Sequence, residues 1–394
     1  MHNKKTEILG IINGYPSSKF KGRLSGGTTH FIQLIKTLSR NRLNRTTVCL
    51  SFNSFEHYFG KNINIISLRD GISDLFTNTQ IKTIFLIVVY LYRVLLAFFQ
   101  LHGKKFDIVI ASSHFFYDTF PCLFIKNRKA TVVYIYHLIS EQDRSGLTSQ
   151  LSKLFEKISL YLIKRYKFIV ITDSPLVTEQ LILKYKFNHE RVYTSKNGIK
   201  LEKISFVKGG NNKYDLVYCG RLTKSKGIYD LIEIVEKLKE DYPKIKSVVM
   251  GSGYDYEVQN IQNQIRNKRL QANIILRGFI FGTKKYQIIK NSTVFAFPSH
   301  EEGWGIVIGE ALACGIPVVV YRLPEIVGIW KDKVAWVDCF NINQFVNTVK
   351  SLLENPQKRK SMIKRGYENI KDLDWKIVLD KEINYINKCV KNEI

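Results

Sequence analysis

The fold of this chain is decided by the stretch SHEEGWGIVIGEA, residues 299–311. An apolar run that ends at Pro298 predicts a strand before it, and the glycines on either side of Trp304 predict a loop. A helix is then predicted over residues 306–314, and Pro317 prevents it from continuing. A strand, a loop and a helix in this order form the repeating unit of a parallel α/β sheet.

The same stretch predicts an anion site. Free backbone N–H groups near Gly305, Ile306 and Val307 lie at the start of the helix, where the helix dipole places roughly half a positive charge. Glu302 precedes the helix and Glu310 lies on its second turn, so both carboxylates can accept hydrogen bonds from sugar or ribose hydroxyls. The alternative is that they are a helix-start charge and a surface residue. A glycosidase pair is disfavoured, because its carboxylates must flank a bond from opposite sides.

A second motif, CGRLTKSKG at residues 219–227, follows the first strand of the second half of the chain. Gly220 and Arg221 lie at the end of that strand, where parallel α/β sheets bind ligands, and Lys226 opens the next helix. A guanidinium and an ammonium group at these positions suit a diphosphate. The loop lacks the G-x-x-x-x-G-K-[ST] pattern of a P-loop, and the alternative is an ordinary turn.

Short β-branched runs alternate with helical segments on both sides of turn and linker signals at residues 197–198 and 209–212. This alternation predicts an α/β protein of two Rossmann-like, doubly wound domains that face each other across a cleft. We assign residues 1–198 to an N-terminal domain and residues 199–375 to a C-terminal domain. Ligands are expected in the cleft, at the carboxyl ends of the strands.

Further glycines follow predicted strands in both halves of the chain and are additional candidates for ligand binding. Gly251 follows one strand of the second half, and Gly278 with Phe279 follows the next, where the backbone either contacts a nucleobase or forms a plain turn. Gly26 and Gly27 follow the first strand of the chain and open a helix, so they form either a flexible loop near the diphosphate or a simple turn.

Two histidines follow strands of the first half. His137 ends the predicted strand 131–136, and His114 lies just past the predicted strand 107–112. Both are therefore expected to face the cleft, although a lone histidine is more often structural. We assign His114 to the acceptor side of the site.

Together these elements resemble the retaining glycosyltransferases of family 4, which have the GT-B fold. The resemblance rests on Glu302 and Glu310 with seven residues between them, on the Gly-Arg-Leu and Lys-Gly pairs of residues 220–227, and on ALACGIPVV at residues 311–319. It extends over essentially the whole chain and is most specific from residue 215 to residue 320.

The resemblance implies a role for each matching residue. Arg221 and Lys226 would hold the donor diphosphate, Glu302 would contact the transferred sugar, and Glu310 would contact the ribose hydroxyls. His137 would lie near the transferred sugar. The reaction would retain the anomeric configuration and would need no metal ion and no cofactor beyond the nucleoside-diphosphate sugar.

The catalytic candidates are thus His137, Glu302, Arg221 and Lys226. The donor-binding candidates are Gly26, Gly27, Gly220, Arg221, Lys226, Gly251, Gly278, Phe279, Glu302, Gly303, Trp304, Gly305, Ile306, Val307 and Glu310. The resemblance also implies that a final helix, about residues 376–394, packs back on the first domain. Trp304 stands where the family more often has Phe, and the loop 321–325 lacks the usual glycines, which leaves the donor sugar open.

The composition indicates which classes of binding partner the protein attracts. The chain has 394 residues, and its 60 Lys and Arg against 34 Asp and Glu give a net charge of +26. Such a charge attracts nucleic acid, an anionic membrane or phosphorylated ligands. The apolar segment 84–101 is near the length of a membrane span, but Arg93 disfavours insertion and predicts a buried or membrane-resting helix. We therefore expect peripheral docking on an anionic membrane surface and a glycan or lipid-linked acceptor.

The apolar stretch 8–12 is too short for a signal peptide, so a cytoplasmic protein is predicted, with docking on the inner face of the membrane. No Cys-x-x-Cys pair or histidine cluster predicts a metal site. Two other functions stay open. A GT-B-like nucleotide-sugar epimerase would turn over donor without acceptor, and a basic nucleic-acid-binding protein would fit the charge, although no nucleic-acid motif is present.

Overall fold

The structure of the protein is a computed structural model that describes residues 5–14, 25–51, 53–68, 83–139, 146–210, 213–368 and 370–391. The chain divides into two compact units. The first consists of Met1–Lys196 and Leu379–Ile394, and the second of Asn197–Val378. Part of the linker signal (residues 211–212) and the end of the predicted final helix (residues 392–394) lie outside the described residues.

The described part of the first unit contains a seven-stranded parallel sheet in the order β3-β2-β1-β4-β5-β6-β7. Its strands are β1 (Thr6–Ile12), β2 (Asn44–Leu50), β3 (Asn64–Ser67), β4 (Ile108–Ala111), β5 (Ala130–Ile135), β6 (Ile169–Thr172) and β7 (Val192–Thr194). Its helices are α1 (Gly26–Arg40), α2 (Thr83–Leu101), α3 (Phe116–Leu123), α4 (Leu147–Arg165) and α5 (Pro175–Leu183). The sequence IVIA of β4 is buried at every position, as expected for a parallel strand covered on both faces.

Helix α2 is the apolar segment noted in the sequence. Its Arg93 is fully buried, and the guanidinium donates to the carbonyl oxygen of Asn13 at 2.7 Å. Val88, Leu95 and Phe99 on the same helix are exposed by 59%, 58% and 75%. Among the helices described, none is long and apolar enough to cross a membrane.

The second unit contains, in its described residues, a six-stranded parallel sheet in the order β10-β9-β8-β11-β12-β13. Its strands are β8 (Tyr214–Cys219), β9 (Ser247–Met250), β10 (Ile274–Leu276), β11 (Ser292–Phe297), β12 (Val318–Tyr321) and β13 (Ala335–Val337). Its helices are α6 (Leu201–Ser205), α7 (Ile228–Asp241), α8 (Asp255–Asn267), α9 (Thr283–Lys290), α10 (Ile306–Ala313), α11 (Pro324–Trp330), α12 (Ile342–Glu354) and α13 (Pro356–Tyr367). The short strands β3, β7 and β13 were not predicted.

The last helix, α14 (Trp375–Val390), begins in the second unit and continues in the first. Within the first unit it is held by Glu382, which is fully buried. The Glu382 carboxylate lies 2.8 Å from Nε2 of His30 and accepts hydrogen bonds from the hydroxyls of Tyr134 and, at 2.7 Å, Ser195. Burial opposes ionisation of Glu382, but His30 and the hydrogen bonds hold its pKa below the ordinary value.

Each sheet reverses its strand order beside its first strand, between β1 and β4 in the first unit and between β8 and β11 in the second. Loops that follow the two strands diverge at such a point and leave a crevice at the carboxyl ends of the strands. The two motifs of the second unit, residues 219–227 and 299–311, follow β8 and β11. The fold therefore places both motifs at the edge where ligands bind.

Candidate active site

The two motif loops of the second unit are joined backbone to backbone. Gly227 has a φ of +71°, and a Cβ at this residue would lie 1.6 Å from the carbonyl oxygen of Pro298. The N–H of His300 donates to the carbonyl oxygen of Ser225 at 3.0 Å. Only glycine fits at residue 227, because any side chain would push the two loops apart.

The Tyr218 hydroxyl contacts the backbone of the loop after β8. Its hydroxyl lies 3.0 Å from the carbonyl oxygen of Arg221 and 2.9 Å from that of Lys226. The ring is fully buried, and burial raises the pKa of the hydroxyl well above its ordinary value. The Arg221 side chain is exposed, so its guanidinium extends from a loop whose backbone is fixed.

Lys226 and Glu302 form an ion pair between the two loops. Nζ of Lys226 lies 2.9 Å from Oε1 of Glu302 and also donates to the carbonyl oxygen of Glu301. The hydroxyl of Ser299 lies 3.3 Å from the same Glu302 oxygen. Each partner of the pair is 13% exposed, so both charges stay accessible to a ligand at this edge.

Helix α10 begins without a side-chain cap. Gly305 is its N-cap with a φ of +77°, and no side chain accepts from the first turn. The N–H groups of Ile306 and Val307 belong to that first turn, where a helix leaves donors available to an anion. Gly303 lies in the preceding loop, where a Cβ would meet nothing within 4 Å.

Trp304 faces the interior. It is 4% exposed, its ring centroid lies 4.7 Å from that of Trp330, and its carbonyl oxygen accepts from Nε1 of Trp330 at 2.8 Å. The expectation that Trp304 contributes to donor binding is therefore limited to its backbone. The large side chain instead fixes the loop against helix α11.

Glu310 is buried, and it is not the surface residue of the alternative interpretation. It is 7% exposed, and both of its oxygens lie 2.6 Å from Nζ of Lys285. Oε1 also accepts from the hydroxyl of Tyr286 at 3.0 Å. Burial alone would lower the pKa of Lys285, but the Glu310 carboxylate raises it above the ordinary value. Lys285 and Tyr286 were missed in the sequence, where they look like an ordinary first turn of α9.

The loops after β9 and β10 touch the loop after β8. A Cβ at Gly251 would lie 1.9 Å from the carbonyl oxygen of Gly220, and the Gly251 N–H donates to the carbonyl oxygen of Gly278 at 2.9 Å. Phe279, which follows, is 55% exposed. The donor candidates of the second unit are therefore brought together at one edge of its sheet.

In the first unit, the glycine loop at the start of α1 lies against the end of β5. A Cβ at Gly27 would lie 2.4 Å from the ring of Tyr136, whose hydroxyl donates to the Gly27 carbonyl oxygen at 3.0 Å. His137 follows directly and is exposed. The structure thus brings Gly26, Gly27 and His137 together.

His114 is placed differently from the expectation. Its side chain is 1% exposed, and Nε2 lies 2.7 Å from Oε1 of the buried Glu156. The same oxygen accepts from the N–H of Ile139 at 2.7 Å, and the rings of His114 and His137 have centroids 6.4 Å apart. His114 was expected to face the cleft on the acceptor side, but the structure buries its side chain against Glu156 of α4.

A buried polar hub supports the crevice between β1 and β4. The Asp118 carboxylate accepts from the N–H of Asn13 at 2.7 Å and from the hydroxyls of Ser112 and Ser113 at 2.9 and 2.6 Å. Burial raises the pKa of Asp118 to about 6. The hub was not predicted, since its members lie on three separate segments. Among the described residues, no group of three or more His, Cys, Asp or Glu side chains could hold a metal ion.

Comparison with protein families gives a match to Glycosyl transferases group 1 over residues 201–369. The matched residues lie within the second unit. Both motif loops, Lys285 and Glu310 lie inside the matched residues. The match supports the resemblance to glycosyltransferases that the sequence indicated for this half of the chain.

Curated relatives are similar over part of their length. An uncharacterised glycosyltransferase of Methanocaldococcus jannaschii is 31% identical over 220 residues, which are 48% of this chain and 55% of the relative. The capsular polysaccharide biosynthesis glycosyltransferase CapM of Staphylococcus aureus is 28% identical over 44% of this chain and 50% of the relative. The processive diacylglycerol alpha-glucosyltransferase of Acholeplasma laidlawii is 26% identical over 52% and 55%. The chain thus spans about half the length of the curated relatives that it matches.

Solved structures share the fold over nearly the whole chain. Anabaena HepE, in complex with UDP and glucose, superimposes with a TM-score of 0.73 at 16% identity and covers 97% of this chain and 100% of its own. The sucrose-phosphate synthase of Thermosynechococcus elongatus gives a TM-score of 0.77 at 16% identity over 98% and 100%. At this identity the likeness concerns the fold, and it confirms the GT-B class predicted from the sequence.

Proposed function

We propose that this protein is a glycosyltransferase that moves a sugar from a nucleoside-diphosphate sugar to a glycan or lipid-linked acceptor, with retention of anomeric configuration and without a metal ion. The observation that carries the proposal is the joined pair of loops after β8 and β11. They bring the exposed Arg221, the Lys226–Glu302 ion pair and the uncapped start of α10 to one sheet edge.

The proposed chemistry is electrostatic. Departure of a nucleoside diphosphate leaves negative charge on phosphate oxygens, which Arg221, Lys226 and the N–H groups of Ile306 and Val307 would stabilise in place of a metal. Lys226 would exchange its contact with Glu302 for a phosphate oxygen and free that carboxylate for the sugar. Acceptor attack on the face that the diphosphate leaves retains the configuration.

The nucleoside part would be held at the other end of the edge. Glu310 is oriented by Lys285 and Tyr286 and would accept hydrogen bonds from the ribose hydroxyls. The loops at Gly251 and Gly278 would meet the base. We propose a UDP-sugar as the donor, which is supported by the fold shared with HepE, a protein solved with UDP.

The acceptor proposal rests on the first unit. Exposed apolar side chains on α2 and α4, among them Phe99 at 75% and Tyr161 at 66%, accompany exposed Lys157 and Lys164. An apolar face with basic neighbours suits peripheral docking on the anionic inner face of a membrane. A lipid-linked acceptor would be reached from there, and the relative from Acholeplasma laidlawii acts on diacylglycerol by its name.

Thermal unfolding with a panel of nucleoside diphosphates, without metal, tests the donor site. A ligand at a hundred times its dissociation constant should raise the stability by about 2.7 kcal/mol. We expect UDP to raise the melting temperature of the wild type and of Lys224→Ala, a neighbouring exposed lysine, and to leave Arg221→Ala unshifted. No shift with any nucleotide, or an equal shift in Arg221→Ala, would contradict the assigned donor site.

The reaction itself is tested with UDP-sugars and lipid or glycan acceptors. Release of UDP that depends on acceptor, with the product in the configuration of the donor, is expected in the presence of a metal chelator. Conversion of the donor sugar without any acceptor would instead favour an epimerase.

A further inference from the structure

A pocket of about 300 Å³ lies in the first unit, away from the edge that carries His137. It is lined by residues from segments 127–131 and 166–169, by Arg191 and by Cys389 of α14. These segments immediately precede or begin strands β5, β6 and β7. The pocket therefore lies at the amino ends of the strands, opposite to the edge where the fold places the candidate active site.

The lining of the pocket is strongly positive. Arg128, Lys129, Lys167 and Arg191 contribute to it, and none of the residues that line it is acidic. Lys129 is 3.2 Å from Asp107. Within the described part of the chain, Arg128, Lys167 and Arg191 form no ion pair with a carboxylate. Among the described residues, three positive charges thus lie together without a carboxylate at ion-pair distance.

The two guanidinium groups are fixed in place by neutral partners. Arg128 donates to the hydroxyl of Thr131 and to the carbonyl oxygen of Ile125, and its guanidinium carbon lies 5.7 Å from the ring centroid of Phe168. Arg191 donates to the carbonyl oxygen of Lys167 at 3.0 Å. These bonds use one or two of the five N–H donors of each group, so the others stay available to a ligand.

The environment of Arg128 disfavours the charged form of its guanidinium. Burial lowers the pKa of its guanidinium, since water is partly removed and no carboxylate replaces it. Partly desolvated, preoriented guanidinium groups bind the oxygens of phosphate in a forked geometry more strongly than exposed lysines do.

We propose that this pocket binds a phosphate group, carried by a soluble phosphorylated molecule or by a phospholipid headgroup. The volume admits a phosphate with part of its substituent. Tyr166 lines the pocket, is 55% exposed and directly follows α4, whose Leu154 and Tyr161 are exposed by 53% and 66%. A lipid headgroup would therefore reach the pocket beside exposed apolar side chains. Arg221 and Lys226 are not among the residues that line the pocket, and they belong to the other unit.

Calorimetric titration with inorganic phosphate and with glycerol 3-phosphate tests the soluble source. The full chain is first saturated with UDP, so that the candidate donor site is occupied. We expect binding that persists in Arg221→Ala and in the control Arg42→Gln, an exposed arginine of the same unit. Lys167→Gln/Arg191→Gln should weaken it at least tenfold, equivalent to about 1.4 kcal/mol. Arg191→Lys should restore only part of the affinity, because the charge returns without the fork.

Vesicle binding tests the lipid source. Phosphatidylcholine vesicles are prepared with phosphatidate or, at equal negative charge, with oleate, which carries no phosphate. If the phosphate comes from a lipid, the double variant should lose more of its binding to phosphatidate vesicles than of its binding to oleate vesicles. Arg42→Gln should lose equal fractions of its binding to the two kinds of vesicle. An unchanged melting temperature shows that the variants fold.

The proposal would be overturned by two results obtained together. The first is that binding of soluble phosphate disappears with UDP or in Arg221→Ala, which assigns it to the donor site. The second is that the double variant, like Arg42→Gln, loses equal fractions of its binding to phosphatidate and oleate vesicles. Both together leave the pocket without a phosphate ligand, and neither depends on whether the protein transfers a sugar.

Discussion

Removal of the Lys285 ammonium group should lower the free energy of unfolding, because the buried carboxylate beside it loses its ion-pair partner. Lys285→Met keeps most of the side-chain volume. Among the described residues, it leaves the Tyr286 hydroxyl as the remaining hydrogen-bond partner of the Glu310 carboxylate, and Glu310 is 7% exposed. Loss of one partner from a buried pair costs about 3–5 kcal/mol, whereas an exposed pair is worth about 0–1 kcal/mol. The side chains here are 16% and 10% exposed, so we expect a loss of about 3 kcal/mol in the free energy of unfolding.

Urea unfolding of the wild type, Lys285→Met and the control Lys284→Met measures this loss. Lys284 precedes Lys285 on α9 and is exposed, so its substitution should change the stability by less than about 0.5 kcal/mol. The double variant Lys285→Met/Glu310→Gln should recover most of the loss, because the unpaired charge is gone. A loss below about 1 kcal/mol in Lys285→Met would refute the reasoning, since it would mean that water already solvates the pair.

The same variant separates two roles of Lys285 in ligand binding. If Lys285 acts through Glu310 on the ribose, Lys285→Met should weaken binding of UDP more than binding of pyrophosphate, which has no ribose. Equal losses for both ligands would show that the ammonium group acts on the diphosphate directly.

Two further substitutions test the packing of the site in each unit. Gly227→Ala adds a Cβ at a φ of +71° and 1.6 Å from the carbonyl oxygen of Pro298, so a loss above about 2 kcal/mol in chemical unfolding is expected; a loss below about 1 kcal/mol would show that the loops are not joined as described. The pKa of Asp118 is near 3.8 in the unfolded chain and about 6 in the folded protein. As the pH rises through that window, ionisation of Asp118 therefore lowers the free energy of unfolding by about 3 kcal/mol. Asp118→Asn should therefore lose less stability than the wild type between about pH 4 and about pH 7. Identical pH profiles of the two proteins would exclude a raised pKa at this residue.

Much of the candidate donor site could be predicted from local sequence. Residues 219–227 and 299–311 each follow a strand and precede a helix, and in a parallel sheet that position alone places them at the carboxyl edge. Glycines 227 and 305 have left-handed backbones, as expected of glycines that close tight loops. The alternation of β-branched and helical segments was sufficient for the class of fold, because both patterns are set by residues that are neighbours in the chain.

The partners of the site residues were decided by the tertiary structure. Lys285 reaches Glu310 from another helix, Glu156 draws His114 inside from 42 positions along the chain, and Trp304 turns into the core because Trp330 lies beneath it. The phosphate pocket likewise joins Arg128 and Arg191, which no local pattern connects. The types of these residues follow from the sequence, but their pairing depends on which elements pack together, and a single sequence carries no direct record of such long-range contacts.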